Sequence, residues 1–147
     1  MFKKLKILAI IPARGGSKGI KLKNLKKIKN KTLIQYAYEC IKKIKIVDCV
    51  AVSTDHELIK SHCKKLKDIK IIDRPKSLSG DKVSDIKVLR HSIKWTEKNI
   101  GKFDIVLMIQ PTSVLRKPKH ILEAIQILVK RKYDTVWSVS KVDLKFH

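Results

Sequence analysis

The sequence predicts an α/β protein with a mostly parallel sheet and helices on both faces. Short apolar runs alternate along the chain with longer segments whose apolar residues recur at helical spacing. The first run, Ile7-Leu8-Ala9-Ile10-Ile11, has the length and composition of a strand buried on both faces. A glycine-rich turn follows it at once, where parallel sheets bind ligands, beyond the carboxyl ends of their strands.

The elements follow in order. After the first strand, Lys21 to Lys31 reads as a basic loop, and Thr32 caps a helix with Leu33, Ile34, Ala37, Tyr38, Ile41 and Ile44 on one face. Val47 to Thr54 is a second strand. Asp55 is expected to cap the next helix, which carries Leu58, Ile59, His62, Cys63 and Leu66, with His62 packed rather than ligating. Ile69 to Ile72 is a short third strand. The segment from Asp73 to Asp81 is a loop by its Pro, Gly and Ser content. Asp81 is expected to cap a long helix bearing Val83, Ile86, Leu89, Ile93 and Ile100, with Ser84 and Asp85 in its first turn. Phe103 to Ile109 is the fourth strand, Pro118 opens a helix with Ile121, Leu122, Ile125, Leu128 and Val129 inward, and Thr135 to Val139 is a fifth strand.

The 147 residues suffice for one domain, 1–147, with a proper core. No apolar run is long enough to span a membrane. The N-terminal apolar stretch runs into Pro-Ala-Arg-Gly-Gly without a cleavage pattern, so it reads as a mature strand. Cys40, Cys49 and Cys63 lack C-x-x-C spacing and suggest thiols in a reducing cytoplasm. The 35 Lys and Arg against 13 Asp and Glu give a net charge of +22, which raises a nucleic-acid partner. The lysines are dispersed, however, and Trp95 and Trp137 do not interleave with a basic stripe. A solvated cationic surface is the expected reading, and a basic nucleic-acid binder the weaker alternative.

The turn Arg14-Gly15-Gly16-Ser17-Lys18-Gly19 is the candidate anion site. Glycines allow main-chain N–H groups close to an anion, and Arg14, Ser17 and Lys18 add donors and charge. Ser17 breaks G-x-G-x-x-G, and no glycine stands where a Walker loop needs one. The turn is therefore an anion site of another kind. The glycine turn, Ser53-Thr54-Asp55, the region from Arg74 to Asp85 and the segment from Gln110 to Arg116 all follow strands, so one crevice can gather them.

Ile11-Pro12-Ala13-Arg14-Gly15-Gly16-Ser17-Lys18-Gly19-Ile20, with Lys23-Asn24, resembles the opening signature of the acylneuraminate cytidylyltransferases, the CMP-sialic acid synthetases. The resemblance continues in Val52-Ser53-Thr54-Asp55, Arg74-Pro75, Leu78, Asp81, His91, Gln110-Pro111-Thr112-Ser113 and Leu115-Arg116, over nearly the whole chain. It departs at Lys21 and Thr32, where relatives often have proline, at Val114 within the QPTSPLR string, and at Ser84-Asp85 in place of Ser-Ser.

The resemblance implies a Rossmann-like three-layer α/β/α nucleotidyltransferase fold in a cytoplasmic enzyme. Its reaction moves CMP from CTP to a nonulosonic 2-keto sugar acid and releases pyrophosphate. It gives Arg14, Lys18 and Lys23 the catalytic places, with Gly15, Gly16 and Ser17 in the triphosphate turn and Asn24 at the nucleotide's sugar. It sets Arg74, Ser84 and Asp85 near the cytosine and Gln110 facing the sugar acid. His91 is left to packing. A carboxylate at Asp85 suits cytosine, whose exocyclic amino group donates where uracil only accepts; the alternative is that Asp85 faces water and only favours the helix N-terminus electrostatically. The family also implies Mg²⁺, acidic ligands for it beyond Val139, and an arm that completes a homodimer. A chain ending at His147 is then expected to be the N-terminal part of the family domain: a piece of a longer enzyme, or a shortened CTP-binding remnant without turnover.

Overall fold

The computed structural model describes residues 5–139. The chain divides into two compact units, one ending at Leu115 and the other starting at Arg116. The first unit is built on β1 (Ile7–Pro12), whose central residues are all buried. Its neighbours are β4 (Cys49–Thr54), beyond that β5 (Ile69–Asp73), and on the other side β6 (Ile105–Met108). The order is β5-β4-β1-β6 and every pairing is parallel, with Leu8 opposite Cys49 and Ile7 opposite Ile105. The chain adds strands on one side of β1 and then crosses to the other. The carboxyl ends of β1 and β6 therefore flank the point where strand order reverses, the usual place for a ligand in such sheets.

Asp48 and Asp104 fix where β1 starts, accepting from the main-chain N–H groups of Ile7 and Lys6, each at 2.7 Å. Because successive strand residues face opposite sides, one face of the sheet presents Leu8, Ile10, Ala51 and Ile72, covered by Leu89, Ile93 and Trp95 of α3 (Asp85–Asn99). Ile7, Ala9 and Ile11 point the other way. Helix α1 (Leu33–Lys42) lies against β1, and α2 (Glu57–Cys63) against β4 and β5. The six apolar positions expected on one face of the first helix, including Ile44 just beyond it, are all buried. The Thr32 cap is a full capping box: Gln35 N–H donates to Thr32 Oγ1 at 3.2 Å, and Thr32 N–H to Gln35 Oε1 at 2.8 Å.

Several expectations are corrected. The α2 cap is His56, whose Nδ1 accepts from Leu58 N–H, and not Asp55. Helix α3 starts at Asp85 behind Ser84, so Asp81 lies outside it. Its buried residues are Val88, Ser92 and Thr96, while Ile86 and Ile100 are exposed. Ser92 and Thr96 enter the interior because their hydroxyls donate to carbonyls one turn back. The basic loop contains a hairpin, β2 (Lys27–Ile28) and β3 (Lys31–Thr32). Residues 135–139 form no strand, and Trp137 and Val139 are exposed; an apolar stretch becomes a strand only where it finds an edge to pair with. In the second unit, α4 (Pro118–Arg131) opens at proline and buries Ile121 and Ile125.

The three cysteines are free thiols, and burial pushes Cys63 up to about 12. His62 is half-buried and shares a hydrogen bond of 3.0 Å with Thr32 Oγ1, tying α2 to the start of α1. Burial, then Lys65 and Lys27, lower its pKa from the usual 6.5. The folded state thus binds this proton more weakly than the unfolded chain, and stability falls as pH drops below about 6.5 towards the folded value. Melts at pH 7.5 and 5 are expected to show a smaller acid-induced drop in His62→Gln than in the parent; equal drops would remove His62 from the pH response.

Candidate functional site

The carboxyl ends of β1, β5 and β6 feed one crevice of about 630 Å³. From the segment after β1 it is lined by Arg14, Ser17, Lys18, Lys23 and Asn24. Arg74, Asp81 and Asp85 come from the segment after β5, and Gln110 to Thr112 from that after β6. Eight of the eleven residues singled out from sequence are thus brought together: Arg14, Ser17, Lys18, Lys23, Asn24, Arg74, Asp85 and Gln110. Gly15, Gly16 and Ser84 are not in the lining. Ser84 serves instead as the N-cap residue of α3, with no side-chain capping bond.

The glycines of the turn work differently from the expectation. None of Gly15, Gly16 and Gly19 has a positive φ; the left-handed residue of this loop is Leu22, at φ 49°. Gly15 is needed for close packing, since an added Cβ would lie 2.4 Å from Cδ2 of His56. Its N–H donates to Asp55 Oδ1 at 2.9 Å and so is turned towards the protein. An added Cβ on Gly16 or Gly19 would meet nothing within 4 Å. Asp55 therefore shapes the turn rather than capping a helix. The Ala13 N–H donates to Ser53 O at 2.9 Å, and Asn24 Nδ2 to Arg14 O at 3.1 Å, so the start of the turn is anchored to buried groups.

Arg74 is the buried cation of the site, 7% exposed. Its main-chain N–H donates to Thr54 O at 2.8 Å, its Nε to Ser53 Oγ at 3.1 Å and a terminal nitrogen to Ser53 O at 2.7 Å. Burial lowers its pKa, Asp55 raises it, Arg14 lowers it and Asp85 raises it; a guanidinium stays charged under such influences. Ser53, expected in the crevice with Thr54 and Asp55, is instead buried outside its lining, at the end of β4 in register with Pro12 and Ile72, where it holds Arg74. On the far wall, Gln110 Nε2 donates to Asp85 Oδ2 at 3.0 Å, joining the segment after β6 to the start of α3.

Arg14 reaches Asp81 Oδ1 at 2.8 Å and Ser79 O at 3.4 Å, while Lys18 Nζ lies 3.3 Å from Asp81 Oδ2. The lining carries Arg14, Lys18, Lys23 and Arg74 against Asp81 and Asp85, a net positive surface suited to a polyanion. The carboxylates do not make up a divalent-cation site. Asp55 receives Gly15 N–H, Asp81 is paired with two cations and Asp85 receives Gln110. Among the described residues no three His, Cys, Asp or Glu side chains gather as metal ligands.

A parallel sheet with a cationic crevice at its switch point defines an α/β protein with a site suited to anions. Its relatives say which kind. The cytidylyltransferase family profile matches residues 8–146, and the chain belongs to that family. N-acylneuraminate cytidylyltransferase A of Danio rerio is 35% identical over 133 residues, covering 90% of this chain and 30% of the relative. The N-acylneuraminate cytidylyltransferase of Escherichia coli O18:K1:H7 is 33% identical over 138 residues, 92% of this chain and 32% of the relative. The chain thus spans about a third of the length of these curated relatives. Among solved structures, a CMP:2-keto-3-deoxy-manno-octonic acid synthetase complexed with CTP superposes with a TM-score of 0.72 at 24% identity. That match covers 86% of this chain and 48% of the other, and bears on the fold alone. No helix among the described residues is long and apolar enough to cross a membrane.

Proposed function

We propose that this crevice binds CTP and that the chain supplies the nucleotide-binding part of a cytidylyltransferase acting on a nonulosonic 2-keto sugar acid. The observation that carries the reading is the meeting of Arg14, Lys18, Lys23 and Arg74 at the switch point between β1 and β6. In the reaction, the anomeric hydroxyl oxygen of the sugar acid forms a bond to the α-phosphorus of CTP. The bond from that phosphorus to the bridging oxygen breaks, pyrophosphate departs, and the hydroxyl proton passes to solvent water. Such a step needs alignment and charge neutralisation more than covalent help from the protein.

Arg14, Lys18 and Lys23 answer the charge that grows on the departing pyrophosphate. Asn24 acts in part by holding Arg14 in place through its carbonyl. Asp85, already an acceptor for Gln110, is a suitable acceptor for the cytosine amino group. Its contact with Gln110 links the base end of the crevice to the end assigned to the sugar acid.

Calorimetric titration with CTP and UTP tests the reading. Saturable CTP binding with weaker UTP binding is expected, and Asp85→Ala should narrow that preference. An absence of CTP binding would overturn the reading; CTP binding without CMP-sugar formation would leave a nucleotide-binding protein without turnover.

A further inference from the structure

Asp81 stands outside every regular element, yet each of its carboxylate oxygens holds one of the two cations of the turn, Arg14 at 2.8 Å and Lys18 at 3.3 Å. Two oxygens of one acidic group bridging two cations is the arrangement a phosphate group would take on the same residues. The contact is breakable. The side chains of Asp81 and Lys18 are 40% and 82% exposed, so water screens the pairs. The loop that carries Asp81 is open as well: an added Cβ at Gly80 would meet only Val83, at 3.8 Å. The Lys18 hydrogen bond holds the carboxyl below its usual range; burial opposes it, and the Arg14 hydrogen bond and the charges of both cations lower it further.

We propose that Asp81 is an affinity-setting residue that occupies the triphosphate's place on Arg14 and Lys18, yields it when CTP enters and takes it back as pyrophosphate leaves. This rests on the CTP reading above. The two carboxylate contacts are exchanged for phosphate contacts, so the net gain on binding is smaller than bare cations would give, and the same exchange favours release of pyrophosphate. The competing role, in which Asp81 orients Arg14 for the ligand, predicts the opposite sign.

The experiment is calorimetric titration of the parent, Asp81→Asn and Asp81→Ala with CTP and with CMP, which lacks the β- and γ-phosphates. CTP is expected to bind both variants about threefold to tenfold more tightly, the range for removing one or two exposed ion pairs, while CMP changes by less than about twofold. CTP that binds the parent, and binds the variants equally or more weakly, overturns the role of Asp81 and leaves the CTP reading standing. Equal tightening of CTP and CMP also overturns it, because the effect would not follow the outer phosphates. No binding of CTP to the parent overturns both.

Discussion

Replacing Arg74 by alanine is expected to lower the folding free energy by about 2–4 kcal/mol, the sum of hydrogen bonds from a charged donor and the packing of its stem. Its guanidinium is buried and donates to both Oγ and the carbonyl of Ser53, tying the end of β5 to the end of β4. Removing it leaves the Ser53 hydroxyl without that partner and opens a space beneath the crevice. Lysine keeps the charge but not the planar fork that spans two acceptors, so Arg74→Lys should recover only part of the loss. Urea unfolding of the three proteins decides this; a loss below about 0.5 kcal/mol for alanine would place Arg74 among surface cations.

Arg14→Ala is expected to weaken CTP binding by about 1.5–3 kcal/mol, or roughly 10- to 150-fold. Arg14 is a third exposed, and its pairing with Asp81 is open to water, so the fold should change by no more than about 1 kcal/mol. The two substitutions thus separate the roles of the two arginines: Arg74 holds strand ends together, and Arg14 meets the ligand. Unchanged CTP affinity in a folded Arg14→Ala protein would contradict this division.

The parts legible in the sequence depend on local pattern. Strand β1 is a continuous apolar run because it is covered on both faces, and α1 shows its buried stripe and its Thr32 cap in consecutive residues. Parallel topology accounts for the gathering of the segments after β1, β5 and β6, whereas Ser53-Thr54-Asp55, expected with them, is not in the lining. The errors concern carboxylates and glycines, whose roles depend on partners brought from elsewhere in the chain. Asp55 and Asp81 each precede a helix, which suggests a cap, but the fold sets them beside Gly15 and beside Arg14 and Lys18, and those partners win. Gly15 suggests a main-chain N–H offered to an anion; instead that N–H is taken by Asp55, and the ring of His56 leaves no room for a Cβ. The apolar spacing of α3 also misled, because Ser92 and Thr96 can be buried once their hydroxyls bond back to the helix.

Nucleotide is expected to enter the crevice between the ends of β1 and β6. Amide hydrogen exchange with and without saturating CTP tests it most directly. Slower exchange is expected in residues 14–24, 79–85 and 110–112, with little change around His62 and the β2–β3 hairpin. Protection confined to the lysine-rich hairpin, or no protection in any of the three segments while CTP is bound, would contradict it.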